Sequence, residues 1–183
     1  MKNKSLTIYC SASDNLKQEM YVMAKETAEI ISNYNIKVIY GGGNVGLMGE
    51  IARRLISLKK EVIGIIPKFL VKKEKKNLNL TNLKIVTSMT KRKDQLFKLG
   101  DAFLILPGGT GTLEEVIEVL SWKMLKLHNK PIIFLNFNNY WSPLLKQFDK
   151  IVDNKFGNKN LQKQFVVIEN PKQLKKIFNS WIK

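Results

Sequence analysis

One stretch limits what this chain can fold into more than any other. Ala102 to Leu106 is a short, fully apolar run that reads as a buried strand. Pro107 stops it, and Gly108-Gly109-Thr110-Gly111 make a turn. From Thr112 the apolar residues return at helical spacing, at Val116, Ile117, Leu120, Met124 and Leu127. A strand that breaks at a glycine turn into a helix leaves backbone N–H groups unpaired at the helix start, and small residues there let an anion approach. The stretch therefore reads as a phosphate seat with two carboxylates, Glu114 and Glu115, one turn deeper. Acids in a first helical turn also suit the helix dipole and need no further role, so the seat gains meaning only if other segments converge on it.

The same alternation runs along the whole chain. Leu6 to Cys10 predicts a first strand, and Asp14 a cap for a helix that buries Leu16, Met20, Met23, Thr27, Ile30 and Ile31. Lys37 to Tyr40 predicts a second strand entering the glycine-rich turn Gly41 to Gly49, and a helix follows with Leu47, Met48, Ile51, Leu55 and Leu58 inward. Val62 to Ile66 is a third strand closed by Pro67, and residues 68–82 read as a loop or irregular helix. Further strands are expected at Leu83 to Val86, Pro131 to Leu135 and Phe165 to Ile168. Helices are expected at Lys91 to Leu99, Trp141 to Val152 and Pro171 to Trp181. Strands alternating with helices, several of them without a polar face, imply an α/β fold: a doubly wound, mostly parallel sheet of about seven strands with helices on both faces. Without an internal repeat or a composition break, residues 1–183 are expected to form one domain.

Composition excludes several classes. No apolar run reaches the roughly eighteen residues that span a bilayer, and the run behind the basic start is too short for a signal-peptide core, so a cytoplasmic protein is expected. Cys10 is the only cysteine and His128 the only histidine. This rules out an internal disulfide and argues against a Cys/His metal site; Cys10 reads as a small buried residue and His128 as a helix cap. The net charge of +16 could attract nucleic acid or a membrane surface. The lysine runs, such as Lys72-Lys73, Lys75-Lys76 and Lys91-Arg92-Lys93, lack interleaved aromatic residues on which bases could stack. A solvated lysine surface with a modest pull on anionic substrates is the favoured reading, and a nucleic-acid partner the disfavoured one.

The turn Gly41-x-Gly43-x-x-Gly46 satisfies a dinucleotide fingerprint in form only. The acid that should hold a ribose at the end of the next strand is missing, and Ile65-Ile66-Pro67 stands there instead, which argues against a nicotinamide or flavin cofactor. No Gly-Lys-Ser/Thr sequence exists, so a P-loop is absent as well. Two glycine turns at the carboxyl edge of a parallel sheet, with Gly42 and Gly43 in the first, suit a nucleoside monophosphate better than a pyrophosphate cofactor.

Pro107-Gly108-Gly109-Thr110-Gly111-Thr112-Leu113-Glu114-Glu115 resembles the PGGxGTxxE signature of the cytokinin-activating "lonely guy" phosphoribohydrolases, a family long labelled lysine decarboxylase-like. The resemblance continues through Tyr40 to Gly49, Val62 to Pro67, Ser88 to Lys93 and Glu118 to Trp122, in the family's order and spacing. It implies a Rossmann-like sheet, a homodimer with active sites near the subunit interface, no cofactor, and hydrolysis of the N-glycosidic bond of an adenine-type nucleoside 5′-monophosphate. The family's catalytic arginine and glutamate fall on Arg92 and Glu115. Its substrate-contacting positions fall on Glu74, Lys93, Gly108, Gly109, Thr110, Gly111, Thr112, Leu113, Glu114 and Ser121. The chain departs from the common pattern at Ser11, where a glycine usually follows the first-strand cysteine, at Ser121 in place of threonine and at Met124 in place of glutamine.

The implied chemistry is physically coherent. Breaking a ribosyl bond builds positive charge at the anomeric carbon, which a fixed carboxylate stabilises. A phosphate held away from that bond orients the sugar. Arg92 can form a planar fork to phosphate or carboxylate, or be one more solvated cation. Two rival readings stand beside this one. The decarboxylase label predicts a pyridoxal phosphate enzyme with a lysine imine. A non-catalytic Rossmann-like protein would bind a nucleotide, molybdenum cofactor or single-stranded DNA.

Overall fold

The computed structural model describes residues 4–71 and 82–182. Seven strands form one sheet: β1 (Lys4–Tyr9), β2 (Ile36–Tyr40), β3 (Val62–Pro67), β4 (Asn82–Val86), β5 (Ala102–Ile105), β6 (Ile132–Leu135) and β7 (Val166–Ile168). Their order is β4-β3-β2-β1-β5-β6-β7, and every neighbouring pair is parallel. Six α-helices join them: α1 (Gln18–Ser32), α2 (Gly46–Ser57), α3 (Met89–Leu99), α4 (Thr110–Met124), α5 (Ser142–Asp153) and α6 (Leu174–Trp181).

The order follows from the residues. β3, β5 and β6 are buried at every position, which only a sheet covered on both faces permits. Alternate residues of a strand face opposite sides, so Leu104 and Leu106 join a core with α1, α2 and α6, while Phe103 and Ile105 join a second core with α3, α4 and α5. The chain winds outward from β1 to β4, then returns to lay β5 against the other side of β1. The crevice between the carboxyl ends of β1 and β5 is therefore the switch point of the sheet, where open parallel sheets bind ligands.

Several expectations are corrected. Asp14 does not cap α1: the helix starts at Gln18 behind Lys17, with no side-chain cap, because Asn15 takes a left-handed φ of 61° and keeps the chain in a loop. α4 starts at Thr110 rather than Thr112 and ends at Met124, and Lys126 turns left-handed (φ 61°). Leu127, counted on the inner face of that helix, lies beyond it and is exposed; Ile117 is 40% exposed. His128 does not bond a terminal carbonyl. Its ring is buried against Phe97 and Phe103, Nδ1 accepts from the Lys130 N–H at 3.1 Å, and Nε2 donates to the Val119 carbonyl at 2.8 Å.

Candidate active site

A pocket of about 240 Å³ opens at the switch point. One wall is the loop after β1, from Cys10 to Ser13, and the facing wall is the start of α4, from Gly109 to Thr112 with Glu114 and Glu115. Met89 and Arg92 of α3, three residues apart and so on one helical face, supply the third side, and Met48 of α2 the fourth.

The floor is built from small residues. Gly109 precedes α4 with no side-chain cap, and the first intrahelical bond runs from the Leu113 N–H to the Gly109 carbonyl at 3.0 Å. The N–H groups of the first turn thus have no intrahelical acceptor and carry the positive end of the helix dipole. Side chains built at Gly109 or Gly111 would meet nothing within 4 Å, so these glycines leave open a volume that a Cβ would enter. Gly108 differs: a Cβ there would stand 2.2 Å from Thr112 Oγ1, so it is a packing glycine. Thr112 is buried, while Thr110 is exposed at the mouth.

Ser11 replaces flexibility with hydrogen bonds. Its hydroxyl accepts the Ser13 N–H at 3.0 Å, its N–H donates to the Pro107 carbonyl at 3.1 Å, and its carbonyl accepts the Met48 N–H at 3.1 Å. It ties the β1 loop to both facing elements. Cys10 is buried on the pocket wall, and burial pushes its thiol well above the ordinary range; Glu115 adds to that shift and Arg92 opposes it. A thiol held neutral is a poor nucleophile.

Arg92 is 5% exposed, although it sits in a basic tripeptide. Its Nη2 donates to the Gly41 carbonyl at 3.1 Å, which anchors the guanidinium under the first glycine turn. That contact makes Gly41 the residue of this turn that matters most to the pocket. Gly42, at φ +80°, packs against Ile66 and Leu83, and Gly43 donates its N–H to Met48 Sδ at 3.2 Å; neither lines the pocket. Lys93 is held beside it: Nζ reaches Glu114 Oε1 at 2.8 Å and Glu118 Oε1 at 3.1 Å. The Glu114 hydrogen bond, aided by Glu118, holds the Lys93 pKa above its ordinary value despite some desolvation.

Of the remaining residues expected here, Leu113 packs on the second core and Ser121 faces away, exposed on a separate apolar groove with Met124. Glu74 lies outside the described residues. Sequence reasoning did not single out Gly41, Met48, Met89 or Ser13 as site residues: the first three lie inside stretches that match the family, and Ser13 lies in no motif. No lysine is among the described residues lining the pocket, so that lining offers no amine for an imine. Among the described residues no group of three or more His, Cys, Asp or Glu could hold a metal ion.

Fold and pocket together define a Rossmann-like α/β protein with the uncapped start of a helix at its switch point and a glutamate and a buried arginine beside it. The chain belongs to the lonely guy family: residues 48–178 match the family profile described as "Possible lysine decarboxylase". It is 35% identical over 181 residues to the cytokinin riboside 5′-monophosphate phosphoribohydrolase LOG1 of Arabidopsis thaliana, covering 99% of this chain and 85% of that one. It is 40% identical over 147 residues to the cytokinin riboside 5′-monophosphate phosphoribohydrolase of Rhodococcoides fascians, covering 80% and 74%. Among solved structures, the molybdenum cofactor binding protein of Rippkaea orientalis superposes with a TM-score of 0.72 at 19% identity, covering 100% of this chain and 99% of that one. At that identity the likeness is one of fold.

Proposed function

We propose that this protein hydrolyses the N-glycosidic bond of adenine-type nucleoside 5′-monophosphates, releasing the free base and ribose 5-phosphate. The observation that carries the reading is that the uncapped start of α4, Glu115 and Arg92 line one pocket at the switch point. The two relatives named above are called cytokinin riboside 5′-monophosphate phosphoribohydrolases, which supports this reading.

In this reading the phosphate sits on the N–H groups of Gly109 to Thr112, with the Thr110 hydroxyl assisting. Its binding away from the scissile bond orients the sugar. Glu115, one helical turn deeper, faces the ribose. As the bond from C1′ to the base nitrogen lengthens, its carboxylate stabilises the positive charge at C1′ and aligns the water whose oxygen adds there. The bonding pair leaves with the base, which takes up a proton. Arg92 is fixed by the Gly41 carbonyl and supplies a positive charge that needs no reorganisation. Lys93 and Glu114 brace the rim of the pocket.

We also propose a homodimer, joined through the groove on the outer face of α4. Its lining, including Ile117, Leu125, Phe148 and Ile151, carries no charged side chain. Leu125 is 69% exposed, and the neighbouring Phe156 is 86% exposed. Apolar exposure on this scale is what an interface covers. The single buried Cys10 suits a reducing compartment, the cytoplasm. Among the described residues no helix is long and apolar enough to cross a membrane.

The test is a substrate panel of AMP, an N6-isopentenyl AMP and the matching nucleosides, read by chromatography of the free base. The nucleotides should be cleaved and the nucleosides react poorly. Glu115→Gln should lower kcat by about a hundredfold or more while the melting curve stays put. Cleavage of nucleosides as fast as nucleotides, or an active Glu115→Gln variant, would refute the assignment.

A further inference from the structure

Tyr140 belongs to no motif, and it lies 32 residues from the glycine loop it touches. It follows the short 3-10 turn Phe137–Asn139, in which Asn138 (φ 52°) and Asn139 (φ 59°) are both left-handed. Asparagine tolerates that conformation better than most residues. The turn is braced from beneath by Asn136, which is buried. Its N–H donates to the Ile168 carbonyl at 2.7 Å, and its Oδ1 accepts the Trp141 N–H at 2.7 Å. The Tyr140 ring stands edge-on to Trp141 with centroids 4.9 Å apart. This scaffold delivers the Tyr140 hydroxyl to the Gly108 carbonyl, to which it donates at 2.6 Å.

The Gly108 carbonyl and the Gly109 N–H belong to one peptide unit. No described peptide bond is cis, so in this trans unit the two groups point in opposite directions and fixing one fixes the other. The preceding carbonyl, of Pro107, is already held by the Ser11 N–H. Gly109 has no side chain to restrain it and open space where one would stand. Tyr140 lines a smaller cavity of about 190 Å³ and is absent from the larger pocket, while Gly109 lines both. Gly109 thus stands between the cavity that holds Tyr140 and the larger pocket, and its N–H points away from the Tyr140 hydroxyl.

We propose that Tyr140 is a positioning residue for the substrate's phosphate: its hydroxyl locks the Gly108–Gly109 peptide so that the Gly109 N–H joins the donors at the start of α4. The hydrogen bond also polarises that peptide unit and makes the N–H a better donor. The inference rests on the phosphate seat of the proposed function and predicts discrimination between phosphorylated and unphosphorylated ligands.

The experiment compares the wild-type protein with Tyr140→Phe, which keeps the ring against Trp141 and removes only the hydroxyl. Calorimetric titration with ribose 5-phosphate should show about tenfold weaker binding in the variant. Steady-state kinetics should show KM for AMP rising by a similar factor with kcat changed less, and turnover of the nucleoside unchanged. In the wild type the Gly109 amide proton should shift on titration with inorganic phosphate, and in the variant that shift should shrink. Equal ribose 5-phosphate affinity in the two proteins would overturn the role, as would equal losses for nucleotide and nucleoside, which is the mark of general loosening. A wild type that binds ribose 5-phosphate but leaves both AMP and N6-isopentenyl AMP intact would refute the hydrolase reading, and the ribose 5-phosphate comparison would still decide Tyr140. No binding of ribose 5-phosphate by the wild type would overturn both.

Discussion

At the scale of single residues, the pocket depends on a glycine whose neighbour is an arginine. A Cβ at Gly41 would lie 2.1 Å from Arg92 Nη2 and 2.9 Å from Met48 Cε. Both are ends of flexible side chains, so an alanine there can be accommodated only by moving the guanidinium. Gly41→Ala should therefore lower kcat roughly a hundredfold, since small misplacements of a charged group at a reacting centre cost about that much. Its melting temperature should fall by about 4 °C or less, because the backbone itself need not shift. A variant that keeps wild-type kcat would show that the Arg92 position is not set by Gly41. Both residues stood in recognisable motifs, yet their meeting spans 51 positions and is a property of the sheet order. The charge pattern Lys91-Arg92-Lys93 gave no sign that the middle residue is buried and its neighbours are not.

At the scale of elements, the strands were legible because burial on both faces leaves continuous apolar runs, and β5 with the turn behind it was the clearest case. Helix starts were less legible. Asp14 has the right chemistry for a cap, but Cys10 to Ser13 just before it line the pocket wall, Asn15 turns left-handed just after it, and α1 begins only at Gln18. The end of α4 shows the same competition. His128 was readable as a cap, whereas the fold uses it as a neutral bridge between Val119 and the Lys130 N–H. Burial lowers its pKa below 6.5, with nearby Lys123 and Lys130 adding to the shift against the Val119 hydrogen bond. The sign follows directly. A base that is harder to protonate when folded favours the unfolded chain as protons are taken up, so this contribution is fully present above pH 6.5 and is lost as pH falls through the lowered folded value. Protonation also removes the Nδ1 acceptor. Thermal melts from pH 7.5 down to pH 5 should show falling stability, and His128→Gln should flatten that slope. An equal slope in the variant would place the acid sensitivity elsewhere.

At the scale of the molecule, seven parallel strands and two cores account for nearly all of the apolar pattern. Among the described residues the exceptions include Ile117 on α4, Leu125 and Leu127 just after it and Phe156 after α5, with Val22, Phe69, Ile85 and Val166 exposed elsewhere. Ile117 fell in register with the inner face of α4 yet stands at the edge of the outer groove, because periodicity marks apolar faces without saying which partner covers them. If a second copy covers this one, the two chains approach with +16 each, and long-range repulsion opposes the apolar contact. Salt screens that repulsion over a Debye length of about 8 Å at physiological strength. No charged side chain lines the groove, so salt has little attraction there to weaken. The dimer should therefore tighten as salt rises from about 50 to about 300 mM, the opposite of nucleic-acid binding, which weakens steeply over that range. Light scattering at both salts should show this, and Leu125→Glu should leave a species of 21.1 kDa at either salt with little change in melting, since Leu125 is already exposed. A wild type of that mass under all conditions would remove the dimer. A dimer that dissociates as salt rises would point to an interface built on charge pairs, away from the α4 groove.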